Sequence, residues 1–476
     1  MKTQSIHRHL RRSGCALALW ALLAGATPAD VTRDAREYEK QRRKAHALYS
    51  DPAKASFRRE VDEAYRQRQR EHSEYALAIQ AGPRQAPLVA PGADRLRVEG
   101  GLYDNPLAQE YLNRLGQSIV PPRSKHAYAF RIILSPYPEA RALSTGAIHI
   151  STGLLSLVEN ESQLAYILGH EIAHIERNHW FEDVMVEKWV QGRRDRQSKT
   201  TRVLLSVANS LADPFSGWFG IEEAFLEIYA RHGLPSLLKL ATPKTLISWD
   251  KVQEDEADQH ALFYLRERGY EPGEVKALYA RLRGTAVEES RLRFGFTATP
   301  ERIAERLRAL DAEPIAPRKA IAMTTSPAFG AMLAAIRRDN GIRAFHADLF
   351  AMARANLQAA LAGRSDDAAA WYYLGRVLHQ TARDADGRLR AREALQRAVS
   401  LDAARRLPEA RLHLALSLVD LHGKEPRANL ATVRQLLQEY ERTAQPRAAE
   451  EPPAELSLLR AYLAPAALRG PGGARK

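Results

Sequence analysis

Two histidines four residues apart, His170 and His174, enclose Glu171 in the run HEIAH, and the flanking sequence commits that run to a helix. Asn160 and Gln163 have the spacing of an N-terminal capping box, and Leu164, Ile167, Leu168, Ile172 and Ile175 recur at helical intervals as an apolar stripe. Residues four apart on a helix project from one face about one turn from each other. That is the separation at which two imidazoles can share one tetrahedral zinc ion. Glu171 lies beside the pair. Zinc lowers the pKa of bound water toward about 7, and a carboxylate within hydrogen-bond reach can take the proton as the water attacks a carbonyl. The pattern therefore points to metallopeptidase chemistry and calls for a third protein ligand from elsewhere in the chain.

That ligand cannot be a thiolate if the first residues are removed. The chain has one cysteine, Cys15, inside a basic start followed by an apolar run to Ala26 with small residues at Ala24, Gly25 and Ala26, the pattern of an export signal over residues 1–26. A mature chain would then have no disulfides, and a metal would be held by His and carboxylate alone. A second helix supplies carboxylates. It is announced by Asp250 with Gln253 three residues on, runs through Val252, Ala257, Ala261, Leu262 and Leu265, and stops at Gly269. Glu254 and Asp258 lie four apart on it and share a face. Glu254 can close a His-His-Glu site, and Asp258 can accept the far N–H of a ligand imidazole and fix its tautomer. Read alone, Glu254, Asp255, Glu256 and Asp258 fit a solvated acidic face better than a site; their position after HEIAH and the order of the motifs reverse that.

The rest of the chain predicts an α+β, mostly helical fold. Residues 27–95 form a charged helical extension, with Tyr38, Phe57, Tyr65 and Tyr75 as sparse aromatics and the Pro/Gly-rich stretch Gly82 to Gly92 near its end. Residues 96–312 form the catalytic unit, with a helix over Leu107 to Ile119 and strands over Phe130 to Leu134 and Ala147 to Ser151, the latter a candidate edge for pairing with an extended peptide. The long insertion from about Trp180 to Ser248 carries the apolar tract Val203 to Ala208 and the run Pro214 to Gly220, expected as a buried helical hairpin, with a membrane-touching loop as the alternative. Residues 318–445 turn rich in Ala, Leu and Arg. Trp371, Leu374 and Gly375, then Ala391, Leu395 and Ala398, fit the two helices of a tetratricopeptide repeat if the intervening loop is about four residues longer than usual. Residues 446–476 are rich in Pro, Ala, Gly and Arg and are expected to be disordered.

The formal net charge of +13 falls to +9 without Lys2, Arg8, Arg11 and Arg12, and what remains is spread along helices without an arginine-aromatic block. Nucleic acid is therefore not an expected partner. The apolar run near the start is shorter than the roughly 20 residues that span a bilayer, so the mature chain is expected to be soluble, with peripheral membrane contact at most.

The order STGLL (residues 151–155), HEIAH, EDEAD (residues 254–258) and PERIAERLRAL (residues 300–310) resembles the zinc metallopeptidase family of HtpX and the Ste-type CAAX prenyl proteases over about residues 96 to 312. The appended signal and repeat-like half are similar to its periplasmic BepA-type members, which handle outer-membrane proteins during assembly and degrade stalled ones. The resemblance implies one Zn2+ per chain held by His170, His174 and Glu254, with Glu171 as base and Asp258 as the partner of a ligand histidine. It also implies a periplasmic location and a role in outer-membrane protein quality control. Unfolded or unassembled envelope proteins would be its substrates, and the repeats would reach the outer-membrane assembly machinery. In one respect the chain departs from the family: Phe296 and Thr297 stand six and five residues before Arg302, where the family has a His-Pro pair. That departure keeps open a second reading, a non-catalytic chaperone or scaffold with a degenerate peptidase domain. His149, His179 and His260 are further candidates for a catalytic or metal role.

Overall fold

The computed structural model describes residues 28–81, 101–194, 243–289, 300–312, 326–420, 429–444 and 454–464. The expected signal, the stretch Gly82 to Gly92, the apolar tract of the insertion and the pair Phe296-Thr297 lie outside the described residues. The charged extension forms two helices, α1 (Pro28–Ser50) and α2 (Ala55–Ala81). Its sparse aromatics explain how such polar helices dock: Tyr38 and Val61 are buried, and Tyr49 and Tyr65 each meet Phe181 edge to face at 5.2 Å between ring centres.

Helix α3 (Pro106–Ile119), capped by the Asn105 side chain, leads into a three-stranded sheet of β1 (Ala129–Ile133), β2 (Ala140–Ala142) and β3 (Ala147–Ser151) in the order β1-β3-β2. Strand β3 pairs in parallel with β1 (Ala129 opposite Ala147) and antiparallel with β2 (Arg141 opposite His149). Ala147 to Ser151 is thus the central strand, and its expected edge position is corrected. Of the two edge strands, β2 has only three residues, an arginine between two alanines, too short and too weakly patterned to be read as a strand. The turn from β2 to β3 needs Gly146, whose φ of +87° and close approach to the Ala127 carbonyl leave no room for a side chain.

The short helix α4 (Thr152–Leu155) precedes α5 (Glu161–Glu176), which carries HEIAH. The Asn160 side chain accepts from the Gln163 amide at 3.0 Å, and the Gln163 carboxamide accepts from the Glu159 amide at 2.9 Å, one residue before the position a standard capping box uses. Helix α6 (His179–Arg194) follows α5 at once, and α7 (Pro243–Arg268) carries Glu254 and Asp258. Helix α7 begins at Pro243, so Asp250 lies inside it and is not its cap; a proline at a first helical position is compatible with that start. Helices α8 (Glu274–Glu288) and α9 (Pro300–Ala312) complete this part.

The second half is built of packed helix pairs: α10 (Pro327–His346) with α11 (Phe350–Gly363), α12 (Ala368–Thr381) with α13 (Ala385–Leu401), and α14 (Pro408–Asp420) with α15 (Leu430–Thr443). In the first two pairs a glycine lets the helices close. A Cβ on Gly341 would sit 2.7 Å from Leu357 Cγ, and one on Gly375 would sit 2.7 Å from Leu395 Cγ. One buried core runs from Tyr103 through the sheet, α5 and α8 into Phe329, Leu357, Leu374 and Val377. That core is thus shared by the sheet, α5 and the first helix pairs. The stretch 446–476, expected to be disordered, includes a helix, α16 (Ala454–Leu463), with Leu456 and Leu459 buried against the last pair. Among the described residues, no helix is long and apolar enough to cross a membrane.

Candidate active site

Helices α5 and α7 pack face to face, which brings the two four-residue spacings together. Gly169 makes this approach possible, since it stands against the backbone of Ala261. His170 Nε2 lies 3.1 Å from Glu254 Oε2, His174 Nε2 lies 3.3 Å from Glu254 Oε1, and the two imidazole Nε2 atoms are 3.1 Å apart. Ligand atoms about 2.0 to 2.1 Å from a tetrahedral zinc are separated by roughly 3.3 Å, so this donor set, two nitrogens and a carboxylate oxygen, fits that ion. His170, His174 and Glu254 form the one cluster that could hold a metal ion found among the described residues. Of the other candidates, His149 is buried on β3, His260 lies near Tyr264 on α7, and neither joins it.

The far sides of the ligands are also held. His170 Nδ1 donates to Asp258 Oδ1 at 3.0 Å, which leaves Nε2 with its lone pair toward the cluster. Asp258 in turn accepts from Tyr166 Oη at 2.6 Å and from Arg306, whose Nε lies 2.7 Å from Oδ2 and whose Nη2 contacts Oδ1. Arg306 Nη1 reaches Glu254 Oε2 at 3.2 Å, and its guanidinium lies over the Tyr279 ring. Burial alone would raise the Asp258 carboxyl, but Arg306 and His170 hold it well below the usual carboxylate range. Glu254 is likewise held well below that range by the two imidazoles against the opposing effect of burial. Burial would lower His170, yet Glu254 and Asp258 push it up to about 9. A cluster that draws a proton so strongly onto an imidazole is one where a cation can take the proton's place. Glu171, Glu254 and Asp258 against Arg306 leave a charge of −2 when the histidines are neutral, which a divalent ion balances.

Glu171 is buried in the same place. Burial pushes its carboxyl up, while His170, His174 and a hydrogen bond with the Ala142 backbone of β2 favour its charged form. The edge strand is thus in direct contact with the expected base. His179 lies 2.9 Å from His174 through the two Nδ1 atoms, and burial pushes it down to about 4.

Sequence reasoning missed Arg306. It lies within the PERIAERLRAL segment, and the available signal is its place on the apolar face of α9, between Ile303 and Leu310, both buried. A charge on such a stripe needs a buried partner.

Residues 105–314 match peptidase family M48. The beta-barrel assembly-enhancing protease of Escherichia coli (strain K12) is 24% identical over 199 residues, covering 41% of this chain and 37% of that protein. The beta-barrel assembly-enhancing protease of Yersinia pestis is 24% identical over 180 residues, covering 37% of this chain and 33% of that protein. The similarity thus spans about a third of these relatives' length. The matched stretch, residues 105–314, thus resembles an M48 peptidase domain, and the His-His-Glu cluster, suited to holding a metal ion, lies within it.

Proposed function

We propose that the protein is a zinc-dependent endopeptidase of the cell envelope that hydrolyses peptide bonds in unfolded or misassembled proteins, acting in the periplasm in outer-membrane protein quality control. The observation that carries this reading is the convergence of His170, His174 and Glu254, with Glu171 beside them, inside an M48 domain. His170 and His174 present Nε2 and Glu254 a carboxylate oxygen to the ion, and Asp258 holds the His170 tautomer. The ion, when bound, supplies Lewis-acid polarisation of water and the scissile carbonyl. Glu171 takes the proton of the attacking water at its carboxylate and passes it to the leaving amine.

Edge strand β2 suits a loosely specific peptidase. Glu139 and Leu143 bond to β3 through Ser151 N–H and Ala147 C=O, so strand alternation turns Ala140 and Ala142 outward. The Ala142 carbonyl accepts from Trp180 Nε1 at 2.8 Å, and Ala140 faces the outer edge, where backbone pairing with an extended peptide gives affinity with little sequence demand. Gly341 and Gly375, each closing a helix pair, are 34 residues apart, the length of a tetratricopeptide repeat; this supports repeats that recruit envelope substrates or the outer-membrane assembly machinery. The names of the similar proteases support the envelope setting, and kinship with HtpX and the Ste-type enzymes within M48 belongs to the same reading.

The test is zinc content and casein cleavage by the full chain and by Glu171→Gln. The variant is expected to keep about one zinc and lose hydrolysis by roughly 100-fold or more, and chelation is expected to abolish wild-type cleavage reversibly. Undiminished cleavage by the variant places the activity elsewhere, and a zinc-loaded but inert wild type supports the scaffold reading.

A further inference from the structure

We propose that His179 is a positioning residue for His174, and that Arg42 of α1 makes the N-terminal helix part of the support of the metal site. The proposal rests on the reading of His170, His174 and Glu254 as metal ligands. Asn178, between α5 and α6, takes the left-handed conformation with φ of 59°, which an asparagine tolerates better than most residues. The chain thereby folds back so that the first residue of α6, His179, lies against the last histidine of HEIAH, with Nδ1 atoms 2.9 Å apart.

The proton positions along this contact follow from its far end. His179 Nε2 lies 3.3 Å from Glu256 Oε2, and an ionised carboxylate only accepts, so Nε2 carries the hydrogen. In neutral His179, Nδ1 is then an acceptor. His174 must donate from its own Nδ1, which leaves the Nε2 lone pair aimed at Glu254 and His170. Asp258 imposes the same tautomer on His170 from the other side, so each ligand histidine has its own carboxylate, one direct and one through His179.

Glu256 is fixed from two elements. Arg42 Nη1 donates to its Oε1 at 2.8 Å, and Arg177 Nε lies 3.8 Å from its Oε2. Arg42 is held by Glu182 at 2.9 Å and by Glu39 at 3.1 Å. A residue more than a hundred positions before HEIAH thus ends the chain of contacts Arg42, Glu256, His179, His174. The sequence called residues 27–95 a charged extension; this geometry gives one of its charges a task at the catalytic cluster.

The experiment measures zinc affinity of the full chain by competition with a chromophoric chelator, together with the visible spectrum of the cobalt-loaded protein. His179→Phe is expected to weaken zinc by about 10 to 100-fold and alter the cobalt spectrum. His179→Gln is expected to restore most of both, because a carboxamide can accept from His174 and donate to Glu256. Arg42→Gln leaves His179 in place and is expected to weaken zinc by about 3 to 10-fold. Wild-type zinc affinity and an unchanged cobalt spectrum in folded His179→Phe, or wild-type zinc affinity in Arg42→Gln, overturn the proposal while leaving the metal site standing. A wild type that binds no zinc, or that keeps it in a His170→Ala, His174→Ala double variant, overturns both readings.

Discussion

Arg306 has one of the least exposed charged side chains in the described chain, at 1% of its accessible surface, and its charge is balanced by Asp258 and Glu254. A buried ion pair contributes modestly against an apolar replacement of both partners, but removing one partner strands a charge and costs about 3–5 kcal/mol. Arg306→Met is therefore expected to destabilise the protein by about that amount in urea unfolding, and Asp258→Asn in the same background to cost much less than it does alone. Additive losses in the double variant would mean that the two side chains are not coupled. The clustering of His170, His174 and Glu254 was legible in the sequence because helical spacing of four is a strong geometric statement and two such spacings occur in order. Arg306 and Arg42 were not, since their partners lie 48 and 214 residues away and only the packing of α9 on α8 and of α1 against α7 brings them there.

At the scale of elements, α2 is fastened to the sheet by one side chain. His72 Nδ1 accepts from the Ser144 amide at 2.9 Å in the turn after β2, and its ring meets Trp180 edge to face. Burial, with Arg68 and Arg141 nearby, pushes His72 down to about 3. Its folded pKa lies below its unfolded value of about 6.5, so the unfolded chain binds the proton first, and the contribution is intact above pH 6.5 and lost as pH falls toward 3. His72 alone is expected to remove about 2 kcal/mol by pH 5. His72→Gln, which still accepts from Ser144 but does not titrate, is expected to flatten that part of the curve. An equally steep fall in the variant would assign the acid sensitivity to other groups. Among the helix pairs, Gly375→Ala is expected to cost about 1–3 kcal/mol through its collision with Leu395, and Leu395→Ala in the same background to remove that collision. Helices with long periodic stripes and clear caps, such as α5 and α12, were legible. Strand β2 was not, because three residues carry no period and its strand character comes from pairing with β3.

For the whole molecule, the decisive question is where the catalytic unit ends. Composition changes near Pro317, and a fragment stopping there reads as a complete peptidase domain in the sequence. The buried contacts place the end later. Phe329, Met332, Leu333, Ile336 and Leu357 belong to the same core as the sheet and α5. A buried polar network crosses the supposed boundary, with Thr152 and Ser156 bonded to Asn340, and Ser156 also to Asn356. Arg337 caps the Val158 carbonyl at 2.8 Å, and Tyr103 donates to Asp339 at 2.6 Å. Cutting at Pro317 exposes that core face to water, at a cost of roughly 1.5–3 kcal/mol for each large apolar side chain uncovered, and leaves the Thr152 and Ser156 hydroxyls only their bonds to the Ser135 and Gly153 carbonyls. Proteins hold only about 5–15 kcal/mol in reserve, so this fragment is expected to be unfolded and free of zinc. A fragment ending after α12, near Arg383, keeps Ala370, Leu374 and Val377 in the first core and loses the second core, which begins with Tyr372. It is expected to fold, bind zinc and cleave casein without α13 to α16. Circular dichroism, zinc content and casein turnover of the two fragments beside the full chain decide the matter. A folded, zinc-loaded and active fragment ending at Pro317 would show that α10 and α11 only cover the catalytic unit, and would restore the boundary the composition suggests.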